Sequence, residues 1–282
     1  MQNVINKLAN RDNSTAGDYT ENGVLMCGKC HTPKQTMKAL PKADGGTISK
    51  LVPITCKCEQ EKENAREFQD KQRHFSSWLT EQRDKYGISD RSYDAHTFEK
   101  DDRKDAALSD LFRRYVNRWE EMKEDNMGIL LYGPVGTGKS FYACAIVNAL
   151  LEQCVPAVVT NFPRLLNILQ GARERQAYID HLQAYQLLVI DDLGVERDSP
   201  YSAEQVFNII DTRARSGLPM IVTTNLTIDE MKNPPNMQLA RIYDRVLELC
   251  PISIEMAGES RRAGNAAARR AKARELLRGG QT

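Results

Sequence analysis

Hydrophobic and polar positions divide the 282-residue chain into successive regimes. The opening stretch, through about residue 20, is rich in Asn, Asp, Ser and Thr and predicts a mobile lead-in. Residues 23–58 show no helical period, hold Gly45, Gly46 and several prolines, and predict a small loop-rich unit. From Glu59 to about Tyr86 the chain is strongly charged and lacks Gly and Pro. There Phe68, Phe75, Leu79 and Tyr86 fall on one helical face, which predicts a single helix linking two domains. A second helix is predicted from Lys104 to Glu124, with Leu108, Leu111, Phe112, Tyr115, Trp119 and Met122 as its apolar stripe. Beyond it, short apolar runs at 128–132, 156–160, 187–191, 219–224 and 251–256 alternate with helical stretches. One such stretch carries a capping box at Ser202 and Gln205 and Gly217 as its C-cap. Continuous apolar strands separated by helices predict an α/β fold with a parallel sheet covered on both faces. The organisation read from these patterns is an N-terminal module (1–58), a linker helix and connector (59–100), an α/β domain (101–260) and a basic tail (261–282).

The loop after the first of those strands reads Gly133, Pro134, Val135, Gly136, Thr137, Gly138, Lys139, Ser140, with Phe141 continuing into the helix. This is a complete G-x-x-x-x-G-K-[ST] phosphate-binding loop in a strand–loop–helix context. Its glycines let backbone N–H groups turn inward on phosphate oxygens, and the following helix adds its positive end. Lys139 is positioned to reach the β- and γ-phosphates and Ser140 to ligate Mg²⁺. Asp191 ends an apolar strand about 50 residues later, where a carboxylate holds the water shell of Mg²⁺. Asp192 follows it and can orient or deprotonate an attacking water. Asn225 ends the next strand; it is either a turn former or an amide that bonds both that water and the γ-phosphate. Arg241 and Arg245 share one helical face, and Arg261 and Arg262 follow the last strand. Each is either a surface ion-pair partner or a group that stabilises phosphoryl charge, in cis or from a neighbouring subunit.

Four of the seven cysteines, Cys27, Cys30, Cys56 and Cys58, lie within 32 residues, whereas Cys144, Cys154 and Cys250 sit among apolar neighbours. The first pair has knuckle spacing and the second is tight but able to share a metal. Reduced thiols or a redox pair are the alternatives to a structural Zn²⁺ site, for which His31 is a spare ligand. With 39 basic and 38 acidic residues the chain is not a globally basic nucleic-acid binder, although the 261–278 stretch holds seven basic residues and one acid. No apolar run approaches the roughly 20 residues of a spanning helix, and the N-terminus is polar, so a cytoplasmic protein without membrane association is expected.

GPVGTGKS, LLVIDDLG, IVTTN and RIYDR, in this order, resemble the AAA+ ATPases of the DnaC-type helicase loaders and their IstB-type transposition relatives over about residues 100–262. The early cysteine pairs resemble the N-terminal extension of phage and phage-like loaders. The resemblance implies an AAA+ P-loop core with a five-stranded parallel sheet, ATP and Mg²⁺ as cofactors, and an ATPase. It also implies a homo-oligomer acting on a hexameric, DnaB-like replicative helicase and single-stranded DNA. An IstB-type transposition helper and a nucleotide-gated adaptor with negligible ATPase are the alternatives. On this resemblance Lys139 and Ser140 are the Walker A pair, Asp191 the Walker B carboxylate and Asp192 the catalytic acid position. Asn225 is then sensor I, Arg245 the trans-acting finger, and Arg261 or Arg262 the sensor II candidate. Two departures stand out: Asp192 replaces the Glu of many AAA+ enzymes, implying slow hydrolysis, and the roughly 57 residues after Asn225 are few for a full helical lid. In the initiator and loader branch the region between the second and third strands contacts single-stranded DNA, so Arg164, Arg173 and Arg175 with Phe162 and Tyr178 are candidates for backbone and base contacts, the alternative being a core-packing helix with a solvated basic face.

Overall fold

A computed structural model of the chain describes residues 14–41, 46–87, 90–194, 199–258, 260–261, 269–270, 272–275 and 277. It divides into two compact units, Met1–Trp78 and Leu79–Thr282.

In the first unit β1 (Tyr19–Glu21) and β2 (Val24–Met26) form an antiparallel hairpin. Its turn, Asn22–Gly23, has positive φ at both residues (48° and 78°), the geometry that matches the twist of paired strands. The polar opening therefore turns into ordered structure by Tyr19, earlier than its composition suggested. A second hairpin pairs β3 (Gln35–Pro41) with β4 (Thr47–Pro53), and a bridge between Met26 and Pro33 joins the two. Helix α1 (Lys57–Tyr86) begins between the last two clustered cysteines, and the division between the units falls inside it.

The second unit is built on a parallel sheet of β5 (Ile129–Tyr132), β6 (Ala157–Thr160), β7 (Leu187–Leu193), β8 (Met220–Thr224) and β9 (Ile252–Glu255). The order is β6-β7-β8-β5-β9, every pair parallel. All five strands match the apolar runs read from the sequence. Ile129–Leu131 and Leu187–Ile190 are fully buried, as strands covered on both faces must be. Helix α4 (Lys139–Glu152) packs into the core along most of its length, burying Tyr142–Val147 and Leu150. α5 (Phe162–Gly171), α6 (Arg175–His181), α7 (Pro200–Ser216), α8 (Ile228–Lys232) and α9 (Met237–Leu249) make up the other connections. No helix among the described residues is long and apolar enough to cross a membrane.

Two predicted elements differ. The helix expected over Lys104–Glu124 is two, α2 (Ala106–Asn117) and α3 (Trp119–Glu124), because Arg118 leaves helical geometry (φ −108°, ψ 28°). On either side of it Tyr115 and Trp119 are both buried, donating to the Met127 carbonyl and the Gln186 side chain. Helix α7 starts earlier than the expected capping box: Ser199 is the N-cap, its Oγ accepting from Ser202 N–H at 3.1 Å, and Pro200 occupies the first turn. Proline is suited there because that position needs no donor. Ser202 and Gln205 are instead buried within the helix, while Gly217 terminates it as expected, at φ 63°.

Candidate functional site

The strand order brings the C-terminal ends of β7, β8 and β5 side by side, the edge where open α/β sheets bind ligands. The loop from Gly133 to Gly138 turns from β5 into α4. Gly136 suits its position: its φ is +88°, which side chains rarely adopt, and a Cβ there would also lie 2.9 Å from Ser260 Cβ. Gly138 at φ +105° forms the N-cap of α4. Lys139 is only 5% exposed, and its ammonium donates to the carbonyls of Gly133 and Pro134, each at 2.7 Å, and to Asn225 Oδ1 at 2.9 Å. Thr137 Oγ1 braces the loop by donating to the Pro134 carbonyl at 3.0 Å.

A cavity of about 690 Å³ opens over this loop. Val135, Gly136, Gly138, Lys139, Ser140 and Phe141 line it, as do Asp191, Asp192, Asn225 and Arg261. The volume suits a nucleotide, since small-molecule sites span about 300–1,000 Å³. Asp191 is 7% exposed and its Oδ1 accepts from the Thr223 hydroxyl at 2.6 Å. A carboxylate and a serine hydroxyl lining one cavity are hard oxygen donors, the chemistry Mg²⁺ selects. Arg261 bonds the loop through its backbone N–H, which donates to the Gly136 carbonyl at 2.9 Å. Its guanidinium donates to Asp102 at 3.0 Å. Arg262 lies outside the described residues.

Arg245 is not among the residues lining this cavity. It lies on α9, 40% exposed, with Nη1 donating to Glu248 at 2.5 Å and Nε 3.6 Å from Asp211. Arg241, one turn earlier, stacks its guanidinium 4.4 Å from the Phe207 ring centre.

The region between β6 and β7 does not offer the stacking surface expected of it. Phe162 and Tyr178 are buried, because they occupy the inward face of α5 and α6. Arg164 is engaged with the Gly87 carbonyl at 2.7 Å and Asp90 at 3.3 Å, and Arg175 with the Leu169 carbonyl at 3.0 Å. Of the five candidates, Arg173 and Arg175 are exposed.

One wall of the cavity has no counterpart in the sequence reading. Residues 90–104 contribute Tyr93, His96, Lys100 and Asp102 to it. Asn148 of α4 anchors the segment by donating to the carbonyls of Tyr93 at 3.0 Å and His96 at 2.7 Å. Tyr142 adds a bond to Asp101 at 3.1 Å. The segment forms two short 3₁₀ turns and carries no periodic pattern, so nothing in the sequence marks it.

In the first unit the sulfur atoms of Cys27, Cys30, Cys56 and Cys58 all lie within 4.8 Å of one another. Cys27–Cys58 and Cys56–Cys58 are 3.6 and 3.5 Å apart, close to the edge of about 3.8 Å that Zn–S bonds of about 2.3 Å give a tetrahedron. The sulfurs perturb one another: Cys56, with Cys30 and Cys27, pushes the Cys58 thiol up to about 12. The Thr32 hydroxyl, 3.1 Å from Cys30 Sγ, draws that thiol down to about 5. Four thiols crowded in this way fit a divalent, thiophilic cation. His31 is not part of the cluster; its Nδ1 is 3.2 Å from Tyr19 Oη. Nearby, Lys34 and Asp18 form a buried ion pair at 2.7 Å, and Lys34 holds the Asp18 carboxyl well below the usual carboxylate range.

The model of the IstB-like ATP binding protein family matches residues 96–268, more than half of the chain. The chain belongs to that family. This IstB-like chain is 26% identical over 182 residues to the replicative helicase loader DnaI of Bacillus subtilis, a match covering 59% of the chain and 58% of DnaI. It is 31% identical over 125 residues to the replicative helicase loader DnaC of Escherichia coli, covering 42% and 49% respectively. The chain thus spans about half the length of the curated relatives it matches. A crystal structure of DnaI superposes with a TM-score of 0.52 at 24% identity, covering 61% of this chain and 93% of that one. The fold of the second unit is accordingly that of an AAA+ P-loop NTPase.

Proposed function

We propose that this IstB-like protein is an ATP-dependent helicase loader of DNA replication. In this reading the second unit binds and hydrolyses ATP. The first unit, held by Zn²⁺, docks on a hexameric, DnaB-like helicase, and α1 links the two. The chain works in the cytoplasm as a homo-oligomer that also contacts single-stranded DNA, and ATP hydrolysis times loading and release. The observation that carries the ATPase is the convergence of Lys139, Asp191, Asp192 and Asn225, from three adjacent strand ends, on one cavity. The relatives include both helicase loaders and ATP-binding proteins of insertion sequences, so it is the four-cysteine module that favours a loader over a transposition partner.

Hydrolysis joins a water oxygen to the γ-phosphorus and breaks the bond to the ADP oxygen. Lys139 supplies positive charge to the β- and γ-phosphate oxygens. Ser140 and Asp191 would hold Mg²⁺, whose charge offsets that of the phosphates. Asp192 orients the water or takes its proton, and Asn225, already hydrogen-bonded to Lys139, offers its amide N–H to the γ-phosphate. Arg261, hydrogen-bonded to the loop, is the sensor candidate.

The test is steady-state ATP turnover of the full chain with single-stranded DNA, with duplex DNA and with neither, alongside co-sedimentation with a hexameric replicative helicase. Stimulation by single strands and co-sedimentation are expected. Stimulation by duplex alone, without helicase, would indicate a transposition partner; ATP binding without turnover would indicate an adaptor.

Arg245 is proposed to complete the site of a neighbouring subunit. Its ion pairs with Glu248 and Asp211 hold it on the surface of α9, 40% exposed. Arg245→Ala is expected to bind ATP normally and to lose turnover by about 10³–10⁵-fold, the range found when a phosphoryl-transfer arginine is removed. Mixing it with Lys139→Ala should restore part of the activity, because some interfaces then pair an intact loop with an intact arginine. Mixtures as inactive as either parent, under conditions of co-assembly, would make Arg245 a structural ion-pair residue.

A further inference from the structure

The two consecutive acids of the site pose a geometric problem. Along a regular strand successive side chains point to opposite faces, so Asp191 and Asp192 should diverge. Both nevertheless line the same cavity. The pairing of β7 with β8 accounts for this. It runs in register through Ile190 and Val222, then resumes at Leu193 opposite Thr224, so Asp191 and Asp192 together face the single residue Thr223. This is a β-bulge, a device that re-aims a side chain. At the bulge Asp192 adopts a left-handed backbone, φ +58°.

Thr223 is fully buried in the concavity of that bulge. Its hydroxyl donates to Asp191 Oδ1 at 2.6 Å and accepts from the Asp192 backbone N–H at 2.9 Å. One oxygen therefore fixes the carboxylate of the first acid and the backbone of the second. We infer that Thr223 is a positioning residue that keeps Asp191 and Asp192 aimed together into the nucleotide cavity, which rests on the hydrolytic reading above. The same geometry explains the residue type at 192. Among non-glycine residues Asp is enriched in the left-handed region because its short polar side chain bonds locally, which the longer Glu does less readily. Asp192→Glu is accordingly expected to bring no gain in turnover.

The experiment compares the parent with Thr223→Ser, which keeps the hydroxyl, and Thr223→Val, which keeps the shape without it. ATP affinity is measured in EDTA and in Mg²⁺, together with kcat and KM. Thr223→Ser is expected to behave as the parent. Thr223→Val should bind ATP in EDTA as the parent does. Its Mg²⁺-dependent gain in affinity and its kcat should fall about 10–100-fold, the usual cost of losing a partner of a metal-site ligand, with KM changing less than kcat. Unchanged Mg²⁺ dependence and kcat in Thr223→Val would overturn the assignment. Should the parent itself show no turnover, the hydrolytic reading fails while the Mg²⁺-dependent affinity still decides the role of Thr223. Loss in the valine variant with retention in the serine variant supports it, and no loss in either overturns it. If Thr223→Val does not fold, Thr223→Ala in the same assays decides in the same way.

Discussion

Lys139→Ala is expected to lose ATP binding and, with it, all DNA-dependent turnover. The ammonium is the one side-chain cation that the phosphate loop itself supplies, and without it the loop offers the β- and γ-phosphates backbone dipoles alone. Removing a single preorganised donor from a charge-stabilising site already costs about 10²–10³ in rate, and here the donor is a full charge in a cavity of restricted access. The structure adds a second reason. The Lys139 ammonium donates to the carbonyls of Gly133 and Pro134 and to the side chain of Asn225. The lysine therefore also ties the loop after β5 to the end of β8, and alanine unties them. A fluorescent ATP analogue titrated into parent and variant reads the binding; thermal melting checks that the fold persists. Equal affinity in the two proteins would contradict the assignment of the cavity as the nucleotide site.

The five strands and the phosphate loop were legible because each is coded locally. Strands buried on both faces need continuous apolar runs, and the loop needs its glycines and lysine at fixed spacing. What escaped was set by tertiary packing. Thr223 reads as an ordinary strand residue; its role exists only because a bulge in β7 places two acids against it. Residues 90–104 have no period, and they reach the cavity because Asn148 and Tyr142 of α4 bond their backbone and Asp101. The aromatic residues of α5 and α6 illustrate the opposite error. Phe162 and Tyr178 look available for stacking in a basic segment, but in a two-face-covered sheet the apolar positions of a crossover helix belong to the core. At the start of α7 the sequence suggests a cap at Ser202, but the N-cap is Ser199, and Pro200 in the first turn suits the earlier start.

Removal of metal is expected to unfold the first unit and leave the second intact. Among the described residues of Met1–Trp78 the buried side chains are those of Cys27, Cys56 and the Lys34–Asp18 ion pair, so the unit has no apolar core of its own. Two short hairpins cannot offset the chain entropy of folding without such a core, and units of this size rely on a metal or on cross-links. The four sulfurs within 4.8 Å are the feature that can supply the missing free energy. In zinc-finger peptides the metal contributes about 10–16 kcal/mol at neutral pH, enough to convert an unfolded chain into a folded one. The second unit has its own sheet and a continuous buried core, including Ile129, Leu131, Ile146 and Val189, and should not respond. Elemental analysis of the purified chain should give one Zn²⁺ per molecule. Dialysis against a strong chelator should abolish the protection from hydrogen exchange in β1 to β4 while the strands of the AAA+ sheet stay protected. Cys56→Ser should lower zinc affinity and the stability of the first unit together. A chain purified without chelator that carries no zinc, yet keeps β1 to β4 protected, would make the four cysteines plain reduced thiols.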